Sequence, residues 1–95
     1  MAFVQQVPRA FTRQNVEGLR PSQGGVCGLF NQGGWVYVGK GDIRERLLAH
    51  LTGDNPTLLR YQPTHWVDEV TPGDPSVRER HLILELQPAC NQRVG

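Results

Sequence analysis

The sequence has no apolar run near the roughly 20 residues that a membrane-spanning helix needs, so it predicts no membrane association. It has little excess charge, because a net charge of +1 gives no overall basic field for a polyanion. Lys40 is its single lysine, and arginine supplies the other cations. The N-terminal residues lack the charged start and long apolar core of a signal peptide, so we expect a cytoplasmic protein.

Cysteine is also scarce. Cys27 and Cys90 lie far apart in the chain, which predicts free thiols in a reducing compartment, with a single disulfide as the alternative. Ninety-five residues, 38% hydrophobic and 20% charged, predict one small globular domain without internal repeats. Within it we distinguish an N-terminal extension with a short helix, residues 1–20, from the main domain, residues 21–95.

The hydrophobic pattern predicts the order helix, strand, strand, helix, short turn, strand, helix. Thr12 is the expected N-cap of the first helix, and Asp42, with Glu45 three residues on, is that of the second. Asp74 is the expected N-cap of the last helix. Three strands covered by helices make a compact α/β (α+β) fold.

Residues 25–30 and 35–39 read as a β-hairpin. With a three-residue loop at positions 32–34, Cys27 and Tyr37 are both odd-numbered positions on one face of the sheet.

Polar residues stand where the helices should bury apolar ones. Arg46 and His50 lie beside the apolar stripe of the second helix, and Glu79 lies on the core side of the last helix. Because burying an unpaired charge is costly, these side chains should pair, bind an ion or open into a cleft, and Tyr37 can supply a hydroxyl there. The alternatives are a structural Glu79–Arg46 ion pair, a hydrogen-bonded boundary His50 and a packed Tyr37.

Five short motifs in order resemble the GIY-YIG nuclease domain, which includes the incision domain of bacterial nucleotide-excision repair. Gly25-Val26-Cys27 stands at the first motif and Tyr37-Val38-Gly39 at the second, followed by Arg46 and His50 in "IRERLLAH". The segment "ERHLILELQPACN" then matches the motif that begins with the metal-binding glutamate, here Glu79, and ends with the asparagine, here Asn91. The resemblance spans about residues 24–92.

The resemblance implies a small three-stranded antiparallel sheet flanked by helices, carrying a DNA endonuclease or nickase that depends on one Mg²⁺ or Mn²⁺ ion. Glu79 would hold the ion, and Arg46 would donate to the scissile phosphate. Tyr37, with a lowered pKa, would deprotonate or orient the attacking water, and His50 would share the proton transfer or contact the phosphate.

The resemblance also assigns supporting positions. Asn91 would support the metal shell, Gly39 belongs to the second motif, and Lys40 would contact the nucleic-acid backbone or remain a solvated lysine. Cys27 stands where the family usually has tyrosine, which raises two further hypotheses, a slower enzyme or a weakened nucleic-acid-binding module. A thiol nucleophile at Cys27 is disfavoured, because no base stands beside it in the sequence.

The expected partner is DNA, including structured or branched DNA such as flaps and junctions. A protein partner or a homodimer would provide targeting, and double-strand cleavage would need a dimer or successive nicks. A purely structural role for the Arg46 and Glu79 charges is the third class of hypothesis, in which the domain serves interaction alone.

Overall fold

The computed structural model of the chain describes residues 3–91. Strands and helices follow one another along the chain in an α+β order. They are β1 (Arg9–Ala10), α1 (Arg13–Glu17), β2 (Gly24–Asn31), β3 (Gly34–Asp42), α2 (Ile43–Leu51), α3 (Pro56–Arg60), β4 (His65–Val70), α4 (Ser76–Leu86) and a 3-10 turn (Ala89–Asn91).

The strands form one antiparallel sheet in the order β1-β4-β2-β3. The three long strands are those expected from the sequence. The fourth, β1, is an addition, because two residues are too short for an alternating pattern to show. Through β1 and the fully buried Val16 of α1, the stretch before residue 21 shares the sheet and the core of the rest of the chain.

Side-chain caps explain where the helices begin. The Asp42 carboxylate accepts the Glu45 backbone N–H at 3.0 Å, which starts α2 directly at the end of β3. Asp74 accepts the Ser76 backbone N–H at 3.0 Å, but Pro75, not Asp74, is the residue that immediately precedes α4. The expected N-cap was therefore one residue early.

The hairpin between β2 and β3 has a shorter loop than expected. Asn31 pairs with Gly34, so the loop contains two residues instead of three. A β-bulge compensates, because Phe30 pairs with Trp35 and Leu29 with Tyr37, leaving Val36 as an extra residue. Cys27 and Tyr37 therefore still contact the same apolar cluster, as predicted.

The two faces of the sheet bury separate apolar clusters. One face packs against α1, α2 and α3, with Leu29, Leu47 and Trp66 fully buried at its centre. The other face packs Val26 and Val38 against Leu82 of α4. Burial of each large apolar side chain contributes about 1.5–3 kcal/mol. The helix carrying Arg46 and the helix carrying Glu79 thus lie on opposite sides of the sheet.

No helix within residues 3–91 combines the length and the apolar character that crossing a lipid bilayer requires. The expectation of free thiols is confirmed, because Cys27 is buried, Cys90 is partly buried and neither forms a disulfide.

Candidate active site

Tyr37 lies at the centre of a polar cluster that also contains Arg46 and His50. Its ring folds back over Gly39. A Cβ atom at Gly39 would lie 2.6 Å from Cε2 and 3.0 Å from the hydroxyl oxygen of Tyr37. The residue two positions after the tyrosine must therefore be glycine if the ring is to keep this orientation. Gly39 thus has a direct physical role in placing the phenol.

Arg46 extends from α2 toward the Tyr37 hydroxyl and pairs with Asp54, its Nη2 lying 3.5 Å from Oδ2. Its side chain is 39% exposed, so the guanidinium is fixed on one side and open to solvent on the other. The expected structural alternative, an Arg46–Glu79 ion pair, is wrong, since within residues 3–91 the ion-pair partner of Arg46 is Asp54.

His50 is buried behind Tyr37, with its side chain only 1% exposed. The two ring centroids are 4.9 Å apart in an edge-to-face arrangement, and His50 Nδ1 lies 3.0 Å from Asp54 Oδ1. Burial lowers the pKa of His50, although the Asp54 carboxylate offsets part of the effect. The imidazole is thus neutral at pH 7, its Nδ1–H donating to Asp54.

The other ring nitrogen of His50, Nε2, is buried and has no hydrogen-bond partner among the described residues. A buried, unpartnered acceptor is unusual and costs about 1–3 kcal/mol. With so little exposure, His50 is placed to position Tyr37 in this conformation, and a direct phosphate contact would require the side chain to become exposed.

The protein groups around Tyr37 do not by themselves lower its pKa, contrary to the expectation from the sequence. Burial raises the pKa of the phenol, and the charge and hydrogen bonding of Arg46 offset only part of the rise. Tyr37 is therefore a neutral phenol near pH 7, able to donate and accept hydrogen bonds, and not a preformed phenolate.

Cys27 is buried on the same side of the sheet, opposite Gly39 in β3 and Asp68 in β4. Burial, followed by the Asp68 charge, raises the pKa of its thiol to about 12. A thiol that stays protonated at neutral pH is a poor nucleophile. Cys27 is therefore an inert, packed side chain.

Glu79 lies in the first turn of α4, which packs beside the edge strand β3. Its side chain is half-buried and forms no hydrogen bond or ion pair with any described residue. Burial is the main reason that the pKa values of Tyr37 and Cys27 are raised, and the negative charge of Glu79 adds to both rises. Glu79 thus acts electrostatically on the same site as Arg46, although the two come from opposite sides of the sheet.

Two predicted supporting residues make contacts outside this cluster. The Asn91 amide clamps the backbone of Val38, with Oδ1 accepting its N–H at 2.7 Å and Nδ2 donating to its carbonyl at 2.9 Å. Asn91 therefore fixes the edge strand beside Tyr37, and both of its polar atoms are occupied. Lys40 donates to Ser76 Oγ at 2.6 Å near the start of α4 and remains exposed.

Sequence reasoning missed Asp54 and Asp68. Asp54 sits in the loop after α2, which the sequence marks only as a helix end, yet it contacts both Arg46 and His50. Asp68 lies opposite Cys27 and accepts the Trp66 indole N–H at 2.8 Å. The signal for Asp54 in the sequence is its spacing. It stands four residues after His50, which the helix pattern places toward the core.

The donor set fits one kind of metal ion. Within the described part of the chain, no three His, Cys, Asp or Glu side chains are grouped as a metal cage. A single half-buried carboxylate, Glu79, suits a hard cation that keeps several water ligands and shares the rest of its coordination with substrate phosphate. It does not suit a structural zinc ion, which needs four nitrogen or sulfur ligands.

Comparison with solved structures identifies the fold. Two point mutants of the GIY-YIG N-terminal endonuclease domain of UvrC from Thermotoga maritima, each bound to its catalytic divalent cation, superpose with a TM-score of 0.72. They are 22% and 21% identical to this chain, and the match covers 86% of it and all of each solved domain. The chain therefore has the GIY-YIG endonuclease fold. No protein-family profile matches it. None of the curated proteins matches it either.

Proposed function

We propose that this protein is a divalent-metal-dependent endonuclease or nickase that hydrolyses phosphodiester bonds in DNA. The observation that carries the proposal is the convergence of a phenol, a guanidinium and a carboxylate, Tyr37, Arg46 and Glu79, on one site of a GIY-YIG fold. A phosphodiesterase of this kind needs a water-orienting group, a phosphate-binding cation and a metal ligand.

Glu79 is the proposed ligand of a single Mg²⁺ or Mn²⁺ ion. When bound, the ion supplies Lewis-acid neutralisation of charge on the scissile phosphate and the leaving oxygen. Because the carboxylate is half-buried and has no partner among the described residues, it is free for this role without breaking an existing ion pair.

Arg46 is the proposed phosphate-binding residue. Its planar guanidinium donates two parallel hydrogen bonds, which match phosphate better than a lysine ammonium does. The loose 3.5 Å contact with Asp54 and the 39% exposure leave donors available for a phosphate.

Tyr37 is proposed to orient the attacking water through its neutral hydroxyl group. A neutral phenol accepts a hydrogen bond from water while receiving one from Arg46, so it fixes the direction of attack without carrying charge. His50 is a positioning residue that holds the Tyr37 ring, and Asn91 holds the strand beneath it.

The second candidate is a weakened nucleic-acid-binding module that uses the same site. Cys27 favours it, because a buried thiol replaces the phenol usual at this position and cannot reach a substrate. The retained site residues favour the enzyme. We further propose that the domain acts on structured or branched DNA in the cytoplasm and that a partner protein or a homodimer provides targeting. Double-strand cleavage would need a dimer or successive nicks.

The Glu79→Gln variant separates the enzyme, the binding module and a structural role. If the protein is an enzyme, Glu79→Gln should lose metal-dependent plasmid nicking while its DNA affinity and its urea unfolding stay unchanged. If it is a binding module, neither the wild type nor the variant should nick the plasmid. If Glu79 has a structural role, the variant should have a lower free energy of unfolding. The matched control is Glu85→Gln, which removes an exposed carboxylate from the same helix.

A further inference from the structure

A cavity opens at the turn of the β2–β3 hairpin, outside the cluster around Tyr37. Its volume is about 670 Å³, within the range typical of small-molecule sites. Three aromatic rings line it, from Phe30, Tyr61 and His65. None of these residues belongs to the motifs that resemble the nuclease family.

The rings present flat surfaces that are not fully packed. Phe30 and His65 are paired across neighbouring strands, with centroids 5.8 Å apart and planes inclined by 22°. Both are half-buried, and Tyr61 is 47% exposed. Exposed ring faces of this kind stack on unpaired nucleobases, because every base has a π-face.

Amide side chains accompany the rings. Gln32 and Gln62 line the cavity, are exposed, and make no side-chain hydrogen bond with any described residue. Each offers a donor and an acceptor, which is what the edge of a base requires. Among residues 3–91, no Asp or Glu lines the cavity, so no described carboxylate there repels a phosphodiester chain.

The cavity wall is held in place by hydrogen bonds. Asn31 Nδ2 donates to the Tyr61 carbonyl at 2.6 Å, which ties the hairpin to the segment after α3. The Thr64 backbone N–H donates to the Phe30 carbonyl at 2.9 Å. Gln62 is kept at φ 53, in the left-handed region that few side chains adopt. A preformed wall lowers the entropic cost of binding.

We propose that this cavity binds an unpaired nucleobase of the DNA that the active site cleaves. Phe30 is paired with Trp35, two residues before Tyr37 in β3, so the cavity starts roughly 7 Å along the strand from Tyr37. Leu29 and Trp66 contact the same apolar cluster as Tyr37, so their neighbours Phe30 and His65 project from the other face of the sheet. The inference deepens the proposed function, on which it rests, by naming the substrate class. The expected substrate is DNA with an unpaired base close to the cleaved phosphate.

Tyr61→Ala tests this inference, because it removes an exposed ring and leaves the carbonyl that Asn31 contacts. The probes are single-stranded oligo(dT) and a hairpin in which the same dT tract is paired with a dA tract, titrated in EDTA so that no strand is cut. Stacking predicts roughly 5- to 100-fold weaker binding of oligo(dT) to the variant. Tyr61→Phe should restore wild-type affinity, and Leu59→Ala, a partly exposed neighbour outside the cavity, should not change it.

Nuclear magnetic resonance provides the second readout. The side-chain amide signals of Gln32 and Gln62 should shift on addition of oligo(dT) and should shift much less with the paired hairpin. Equal affinity of wild type and Tyr61→Ala for oligo(dT), or amide signals that do not move, would overturn the inference.

Neither result depends on catalysis, so each proposal can fail alone. Binding lost in Tyr61→Ala with no nicking by the wild type would retain the base site and reject the nuclease. Nicking by the wild type with unchanged oligo(dT) binding in Tyr61→Ala would retain the nuclease and reject the base site.

Discussion

Asp54 holds His50 through a contact of 3.0 Å between Oδ1 and Nδ1, while its other carboxylate oxygen lies 3.5 Å from Arg46 Nη2. One carboxylate in the loop after α2 therefore fixes both the buried imidazole and the exposed guanidinium. Because the His50 ring packs edge-on against Tyr37, this contact also fixes the phenol. The geometry of the candidate site rests on a residue that binds neither substrate nor metal in the proposed mechanism.

The neutral, buried His50 should make the stability of the protein pH-dependent. Burial places its folded-state pKa below the value of 6.5 expected in the unfolded chain. The unfolded state therefore binds more protons as the pH falls below about 6.5, and the free energy of unfolding decreases until the folded-state pKa is reached.

Urea unfolding at pH 7.5, 6.5 and 5.5 measures this decrease. His50→Gln should flatten the dependence in this window, whereas His81→Gln, at an exposed position, should leave it as in the wild type. The Glu69 carboxyl, whose pKa is lowered from 4.5 chiefly by its hydrogen bond with Arg78, titrates below this range. An unchanged slope in His50→Gln would reject the assignment of a neutral buried imidazole.

Gly39→Ala should impair cleavage by moving the Tyr37 ring. The added Cβ would lie 2.6 Å from Cε2 of that ring, so the phenol must shift. We expect a loss of cleavage rate on the order of 10²-fold and destabilisation of about 1–3 kcal/mol. Gly24→Ala is the control, because a Cβ there meets nothing within 4 Å. Equal nicking rates for the two variants would show that the ring position is unimportant.

Arg46→Lys should lower the cleavage rate on the order of 10²-fold, because an ammonium cannot make the paired hydrogen bonds of a guanidinium. Stability should change by less than about 1 kcal/mol, since the Arg46–Asp54 pair is partly exposed. Arg44→Lys, two positions earlier in α2, is the matched control. Comparable nicking rates for both variants would exclude Arg46 from phosphate binding.

Cys27 should behave as an inert packing residue. With a pKa of about 12, its thiolate fraction at pH 8 is on the order of 10⁻⁴, so iodoacetamide should modify the less buried Cys90 first, as read by mass spectrometry. Cys27→Ala should keep the nicking rate within about threefold while lowering stability by about 1 kcal/mol. Loss of nicking in that variant would assign the thiol a chemical role.

The sequence predicts the parts of the fold that depend on local pattern. The three long strands, the hairpin and the Asp42 cap follow from alternation and capping, which act over a few residues. The short strand β1 and the bulge at Val36 depend on contacts with distant segments, so no local pattern marks them. Cys27 and Tyr37 share a face because the bulge offsets the shorter loop, and residue parity alone accounts for neither change.

Part of the site could also be predicted from local sequence patterns. Helix periodicity correctly places Arg46 and His50 beside the core, but it does not identify their partner, which lies in a loop. The raised pKa of Tyr37 follows from its burial among neighbours that only the folded chain supplies. The cavity beside Tyr61 brings together two separate stretches of the chain, residues 30–33 and 61–65, so the sequence does not show its rings as a group.

The most direct test of the account is conversion of supercoiled plasmid to nicked circles by the wild-type protein in Mg²⁺ or Mn²⁺, compared with the same reaction in excess EDTA. The account predicts nicking that requires the metal, disappears in Glu79→Gln and persists in Glu85→Gln. Nicking that continues in EDTA, or that Glu79→Gln retains in full, would contradict it.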